Sequence, residues 1–241
     1  MSTLFVSDVH LNSARANIVS AFIEFLDQKA RHADALFILG DLFDEWLGDD
    51  DDKPPHPEVS DALTALTATG LPVSVVHGNH DFLLGRKFSK RTGCTLLGDH
   101  TTVDFYGTST LIMHGDTLCT RDVEYQKFRK MTRNPITQKL FLTMSLDKRT
   151  EKAANIRHAS NKDTALKSDE IMDVTPQAVD EIMRTHGVRH LIHGHTHRPA
   201  IHHFTLDDQE ATRIVLGDWY EQDSVLIWDE AGYHLGRIAD L

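Results

Sequence analysis

Residues 3–10 read TLFVSDVH, a β-type run (Thr3–Ser7) that ends in Asp8-x-His10. Aromatic and β-branched residues favour a strand, and side chains two apart at its end point the same way. The construction recurs downstream. Ala35–Leu39 (ALFIL) runs into Gly40-Asp41, and Val73–Val76 (VSVV) leads to Gly78-Asn79-His80-Asp81. Leu111–Met113 (LIM) runs into His114-Gly115-Asp116, and the run near Leu191 into Gly194-His195-Thr196-His197. Helical patterns fill the gaps: Ile18–Ala30, with Phe22, Phe25 and Leu26 at helical spacing, and Val59–Thr69. Strands alternating with helices predict a βαβ arrangement with buried parallel strands. From about Ala200 the pattern changes. His202–Leu206, Thr212–Leu216, Ser224–Trp228 and Tyr233–Ile238 are short β-rich runs between turn residues, expected as antiparallel strands.

Ligands of open α/β sheets bind at the carboxyl ends of strands. Five strand ends here carry carboxylate, amide or imidazole groups to one edge. Gly40, Gly78, Gly115 and Gly194 stand beside them, where the backbone must turn sharply or approach closely. Taken singly, each piece reads as turn chemistry. In this order, at strand ends, they predict a metal centre built from these oxygen and imidazole groups. Mixed oxygen and imidazole donors suit manganese, iron or zinc, and the lack of thiolate argues against a structural zinc site.

The bulk numbers agree with a soluble globular chain: 241 residues, 40% hydrophobic and 25% charged, long enough to bury a core. Two cysteines, Cys94 and Cys119, make no disulfide framework and fit a reducing cytoplasm. The opening MSTLFVSDVH reads as a first strand and not as a signal peptide, and no apolar run approaches the ~18 residues of a membrane span. A net charge of −11 argues against nucleic acid as a partner. Residues 121–168 oppose it, with 12 Lys and Arg against five acids, so this segment is +7 and the remainder −18. Its predicted helices are Val123–Met131, Ile136–Leu146 behind Pro135 at the first helical position, and Glu151–His158. Ile136, Leu140, Phe141 and Met144 form one stripe, with Leu142 and Leu146 outside it. Such a helix needs another helix, a lipid chain or a membrane to cover it. The charge reversal predicts a separate module facing an anionic ligand or surface.

The ordered set D-x-H, GD, GNHD, H and GHTH resembles the calcineurin-like metallophosphoesterases. That resemblance implies an α/β fold of four layers, two mixed sheets flanked by helices, with an inserted helical lid. The core would be residues 1–120 and 169–241, and the basic lid residues 121–168. It implies two divalent ions, expected as Mn2+. Asp8, His10, Asp41 and His197 would hold one, and Asp41 as a bridge, Asn79, His114 and His195 the other. The runs ILGDLFDEWLGDDDD (38–52), IMHGDTLCT (112–120), IMDV (171–174) and LIHGHTHRP (191–199) are similar to the UDP-2,3-diacylglucosamine hydrolase family of lipid A assembly. This closer resemblance implies attack of activated water on the α-phosphorus of the pyrophosphate, releasing UMP and 2,3-diacylglucosamine 1-phosphate. Substrate contacts would be Asn79, His80, Asp122, Ser160, Thr164, Lys167 and His195, with catalytic roles for Asn79, His80 and His195. This chain carries His80 where that family has Arg, and Thr164 where Asn is expected. The implied partners are the lipid nucleotide and an anionic membrane, with the protein peripheral on the cytoplasmic face of the inner membrane and no obligate protein partner. Two rivals stand beside this reading. One is another nucleotide phosphodiesterase of the superfamily, indifferent to acyl chains. The other is a non-enzymatic scaffold, against which all seven ligand positions are filled.

Overall fold

The computed structural model describes residues 2–164 and 167–240. Its strands are β1 (Thr3–Val6), β2 (Ala35–Leu39), β3 (Val73–Val76), β4 (Thr95–Leu96), β5 (His100–Phe105), β6 (Thr108–Met113), β7 (His190–His193), β8 (Ala200–Leu206), β9 (Gln209–Val215), β10 (Ser224–Asp229) and β11 (Gly232–Arg237). They form two mixed sheets. The first has the order β11-β10-β1-β2-β3-β4, with β1 to β4 parallel and β10 and β11 antiparallel at one edge. The second has the order β5-β6-β7-β9-β8, with a parallel centre and an antiparallel partner at each edge. The late strands are therefore antiparallel only in part: β9 runs parallel to β7.

Alternation along each central strand builds the layers. Phe5, Phe37, Leu39 and Val76 of the first sheet meet Phe105, Ile112, Ile192 and Ile214 of the second in one core between the sheets. The intervening residues Leu4, Val6, Leu36, Ile38, Val73 and Val75 turn outward. They pack on Phe22 and Phe25 of α1 (Ala16–Gln28), Leu63 of α2 (His56–Thr67) and Phe88 of α3 (Arg86–Thr92). On the far side Leu111, Met113 and Leu191 contact the apolar face of a later helix at Val179 and Met183. Three cores separate four layers, as the resemblance implied. Strands buried on both faces lack polar alternation, which is why β1, β2 and β3 read as near-continuous apolar runs.

Between β6 and β7 the chain is helical: α4 (Val123–Thr132), α5 (Pro135–Leu142), α6 (Leu146–Thr164), α7 (Asp169–Met172) and α8 (Pro176–His186). Pro135 does open α5, and the Asn134 side chain caps it by accepting from Ile136 N–H at 2.9 Å. The predicted boundary beyond it was wrong. α5 stops at Leu142, Leu146 belongs to α6, and α6 runs to Thr164 in place of a short Glu151–His158 helix. Thr143 turns its hydroxyl back onto the Leu140 carbonyl, and Asp147 lies in the first turn of α6. These are stop and start signals that the apolar stripe obscured. Within that stripe only Phe141 packs on the core; Ile136 is 78% and Leu140 69% exposed.

Candidate metal centre

The loops after β1 and β2 run side by side. Asp8 N–H donates to the Gly40 carbonyl (3.1 Å) and His10 N–H to that of Asp41 (2.9 Å). This seats Asp8, His10 and Asp41 together, each at most 5% exposed. Gly78 carries the third loop against Asp41 and Gly194 the fifth against Asp8 and Ser7. A Cβ at either would overlap those side chains. The fourth loop joins because Gly194 N–H donates to the His114 carbonyl at 2.8 Å. Five of the predicted ligands, Asp8, His10, Asp41, His195 and His197, hold positive φ between 49° and 68°. Each such residue costs about 1–3 kcal/mol of backbone strain. Strain gathered on five neighbouring predicted ligands points to a functional site.

Each carboxylate divides its oxygens. Asp8 Oδ2 accepts from His195 N–H (2.9 Å) and Ser7 Oγ (2.5 Å), and Asp41 Oδ1 accepts from His80 N–H (2.8 Å). The second oxygens face imidazole nitrogens. Asp8 Oδ1 lies 3.3 Å from His197 Nε2, while Asp41 Oδ2 lies 3.6 Å from both His10 Nε2 and His114 Nε2. Asp8 Oδ1 is buried without a hydrogen-bond donor. His10 and His197 point their Nε2 atoms at each other, 3.5 Å apart. His114 Nδ1–H donates to the Leu39 carbonyl at 2.9 Å, so a neutral ring would turn a lone pair towards Asn79 Oδ1, 2.9 Å from Nε2. Acceptors facing acceptors need a cation or a proton between them. Two ligands each ~2.1 Å from one ion stand about 3–3.5 Å apart, which these spacings approach. The donor set therefore fits divalent metal. Asp8, His10 and His197 form one able cluster, and Asp8, Asp41 and His114 another.

The electrostatics agree. Burial alone would lower the His114 pKa, but the surrounding carboxylates of Asp41, Asp8 and Asp116 outweigh it and raise it to about 9. Burial lowers His195 to about 4, aided by the neighbouring His114. Burial would raise Asp8 and Asp41. The close approach of His197 to Asp8, and the field of His114 on both, hold the two carboxyls below the usual range instead. Both carboxylates are thus kept ionised to meet a cation.

Of the predicted substrate contacts, Asn79 and His195 lie at this centre. His80 joins His10 and Asp41 in a third cluster and stacks edge-on against the His10 ring at 4.9 Å. Asp122 and Lys167 pair with each other, Nζ to carboxylate at 2.8 Å, and Asp122 also caps α4. Ser160 is exposed on α6, and the Thr164 side chain lies outside the described residues. Part of the charge on this helical segment is spent on the core. Arg129 binds Asp99 and Asp116, Arg149 binds Asp50, and Arg157 binds Asp44 and Glu45. Arg149 is 1% exposed, so it does not face solvent.

Sequence reasoning passed over three further residues. Asp81 is fully buried and accepts from Leu42 N–H and Gly78 N–H, both at 2.8 Å, so it ties the loops of Asp41 and Asn79 together. Its place in the GNHD run was the available signal. Tyr125 stacks over His195 at 6.0 Å and donates to Asp116 at 2.7 Å. Asp44 borders His10 and His80. Nothing local in the sequence marks either.

Comparison with known proteins shows the family. The calcineurin-like phosphoesterase profile matches residues 1–199. The UDP-2,3-diacylglucosamine hydrolase of Aeromonas salmonicida (strain A449) is 53% identical over 227 residues, covering 94% of this chain and 89% of that protein. The protein of that name from Serratia proteamaculans (strain 568) is 50% identical over 226 residues, 94% of each chain. The one from Pseudomonas entomophila (strain L48) is 47% identical over 232 residues, 96% of this chain and 97% of that one.

Asp81 gives a test that touches no ligand. D81A and D81N, titrated with Mn2+ in a calorimeter, should each bind about 10–100-fold more weakly than wild type. Undiminished affinity in both would show that the loops hold their geometry without it.

Proposed function

Because this chain belongs to the calcineurin-like phosphoesterase family, we propose that it hydrolyses the pyrophosphate of UDP-2,3-diacylglucosamine, releasing UMP and 2,3-diacylglucosamine 1-phosphate. The observation that carries this reading is identity of 46–53% over 94–98% of the chain to proteins of that name, on a complete ligand set. Asp8, His10, Asp41 and His197 would hold one Mn2+, and Asp41, Asn79, His114 and His195 the second. Such ions supply acidity to water and neutralise charge on phosphoryl oxygens.

The chain's own groups do the rest. His80 Nδ1 donates to the Asp44 carbonyl at 2.9 Å, which fixes the tautomer of the neutral ring. Donation from Nε2 to a phosphoryl oxygen then requires the imidazolium. A sugar phosphate is a weakly basic leaving group, so His80 serves the developing charge more than proton delivery. Asn79 and His195 combine metal and substrate contact. Asp122, Ser160, Thr164 and Lys167 belong to the helical lid, residues 121–168, that receives the sugar and acyl chains.

Acyl chains on that substrate would bring the protein to a membrane surface. Among the described residues no helix is long and apolar enough to cross a membrane. Ile136, Leu140 and Leu142 are exposed, with Lys139 and Lys148 exposed near them in sequence. We read this as a peripheral patch for the anionic cytoplasmic face of the inner membrane.

Two measurements bear on this. UMP release from UDP-2,3-diacylglucosamine with Mn2+ should be fast, abolished in D8A and H195A, and slowed in H80A. Turnover of bis-p-nitrophenyl phosphate alone would keep the phosphoesterase and discard the lipid substrate. Replacing Lys130, Lys139 and Lys148 by Glu should weaken binding to phosphatidylglycerol vesicles at least tenfold, since each Lys near an anionic surface is worth about 1 kcal/mol. Unchanged binding would refute the membrane patch.

A further inference from the structure

Arg157, on α6, reaches the metal centre through one residue. Its Nη1 donates to Asp44 Oδ2 at 2.8 Å and its Nη2 to the Asp44 main-chain carbonyl at 2.7 Å. Nη2 also lies 3.3 Å from Glu45 Oε1. The same Asp44 carbonyl accepts from His80 Nδ1 at 2.9 Å. The other carboxylate oxygen, Oδ1, stands 3.8 Å from His10 Nδ1 and 4.0 Å from His80 Nδ1. One side chain is thus clamped at its carboxylate and at its peptide plane by a guanidinium, and two imidazoles of the centre lean on what the clamp holds still.

The clamp sets a choice. A fixed carbonyl takes the His80 proton at Nδ1, and Oδ2 stays engaged by the guanidinium. Without Arg157 the carboxylate is free to rotate and the peptide plane to tilt. Asp44 Oδ1 can then close on either imidazole, and His80 is no longer held in one orientation. The second α6 anchor differs in kind: Arg149 binds Asp50 and the Leu47 carbonyl, neither of which touches an imidazole of the centre.

We infer that Arg157 is a positioning residue, coupling the seating of α6 to the orientation of His80 and His10 through Asp44. The inference rests on reading this site as a phosphoesterase centre, and it predicts that closing the helical segment and aligning the catalytic imidazole are one event.

The test uses R157A, with R149A as the control that loosens α6 elsewhere. In 15N-histidine protein loaded with diamagnetic Mg2+, at a pH where the ring is neutral, His80 of wild type should show a protonated Nδ1 and a bare Nε2. R157A should shift these resonances towards tautomer averaging, and R149A should leave them in place. On bis-p-nitrophenyl phosphate, which has no acyl chain for a lid to grip, R157A should lower kcat about tenfold with KM little changed. The R157A/H80A double variant should be no slower than H80A alone. An unmoved His80 spectrum in R157A, equal movement in R149A, or additive losses in the double variant would each overturn the inference. Failure of the lipid substrate reading would instead appear as absent UMP release, with the His80 spectra and the generic diester still reporting on Arg157.

Discussion

Asp8 and Asp41 are buried at the ends of two adjacent parallel strands, and like charges at that depth demand compensation. The protein meets the demand in two ways. Backbone N–H groups of His195 and His80 take one oxygen of each carboxylate. The His114 imidazole, with its pKa raised to about 9, supplies positive charge beside the other oxygens. What remains is a set of acceptors turned inward, among them Asp8 Oδ1 without a donor. A divalent cation would complete this arrangement, and the strained backbone at five predicted ligands is tolerated because neighbouring loops hold it there.

The helical segment is tied to the same loops. Arg129 and Tyr125 reach Asp116, next to the turn that bears His114, and Arg133 donates to the Gly78 carbonyl beside Asn79. Arg157 reaches Asp44. Each tie ends one or two residues from a predicted ligand or beside a site imidazole. A segment attached in this way reports its own position to the centre, which suits an enzyme that must gather an amphiphilic substrate before reaction.

The strand-end pattern was legible because it is local: an apolar run, a glycine and a ligating side chain lie within a few residues of each other. Near-continuous apolar runs, buried on both faces, gave β1, β2 and β3, and the predicted site residues come together at strand ends. The lid's helix boundaries were harder, since an apolar stripe from Ile136 to Leu146 hides the break at Thr143 and Ser145. Its charges were harder still. Arg149 and Arg157 read as a basic surface, yet their partners Asp50 and Asp44 lie about a hundred residues away in sequence. Ion pairs over such separations leave no periodic trace. Asp81 stood inside a motif and was passed over because a carboxylate that ties two loops looks, in sequence, like one more turn residue.

In the proposed centre Asp41 would join two ions. Anomalous diffraction at the manganese edge, from crystals grown with Mn2+, tests it directly. Two peaks about 3.5–4 Å apart with the Asp41 carboxylate between them are expected. A single ion, or a second one seated away from Asp41, would contradict the claim.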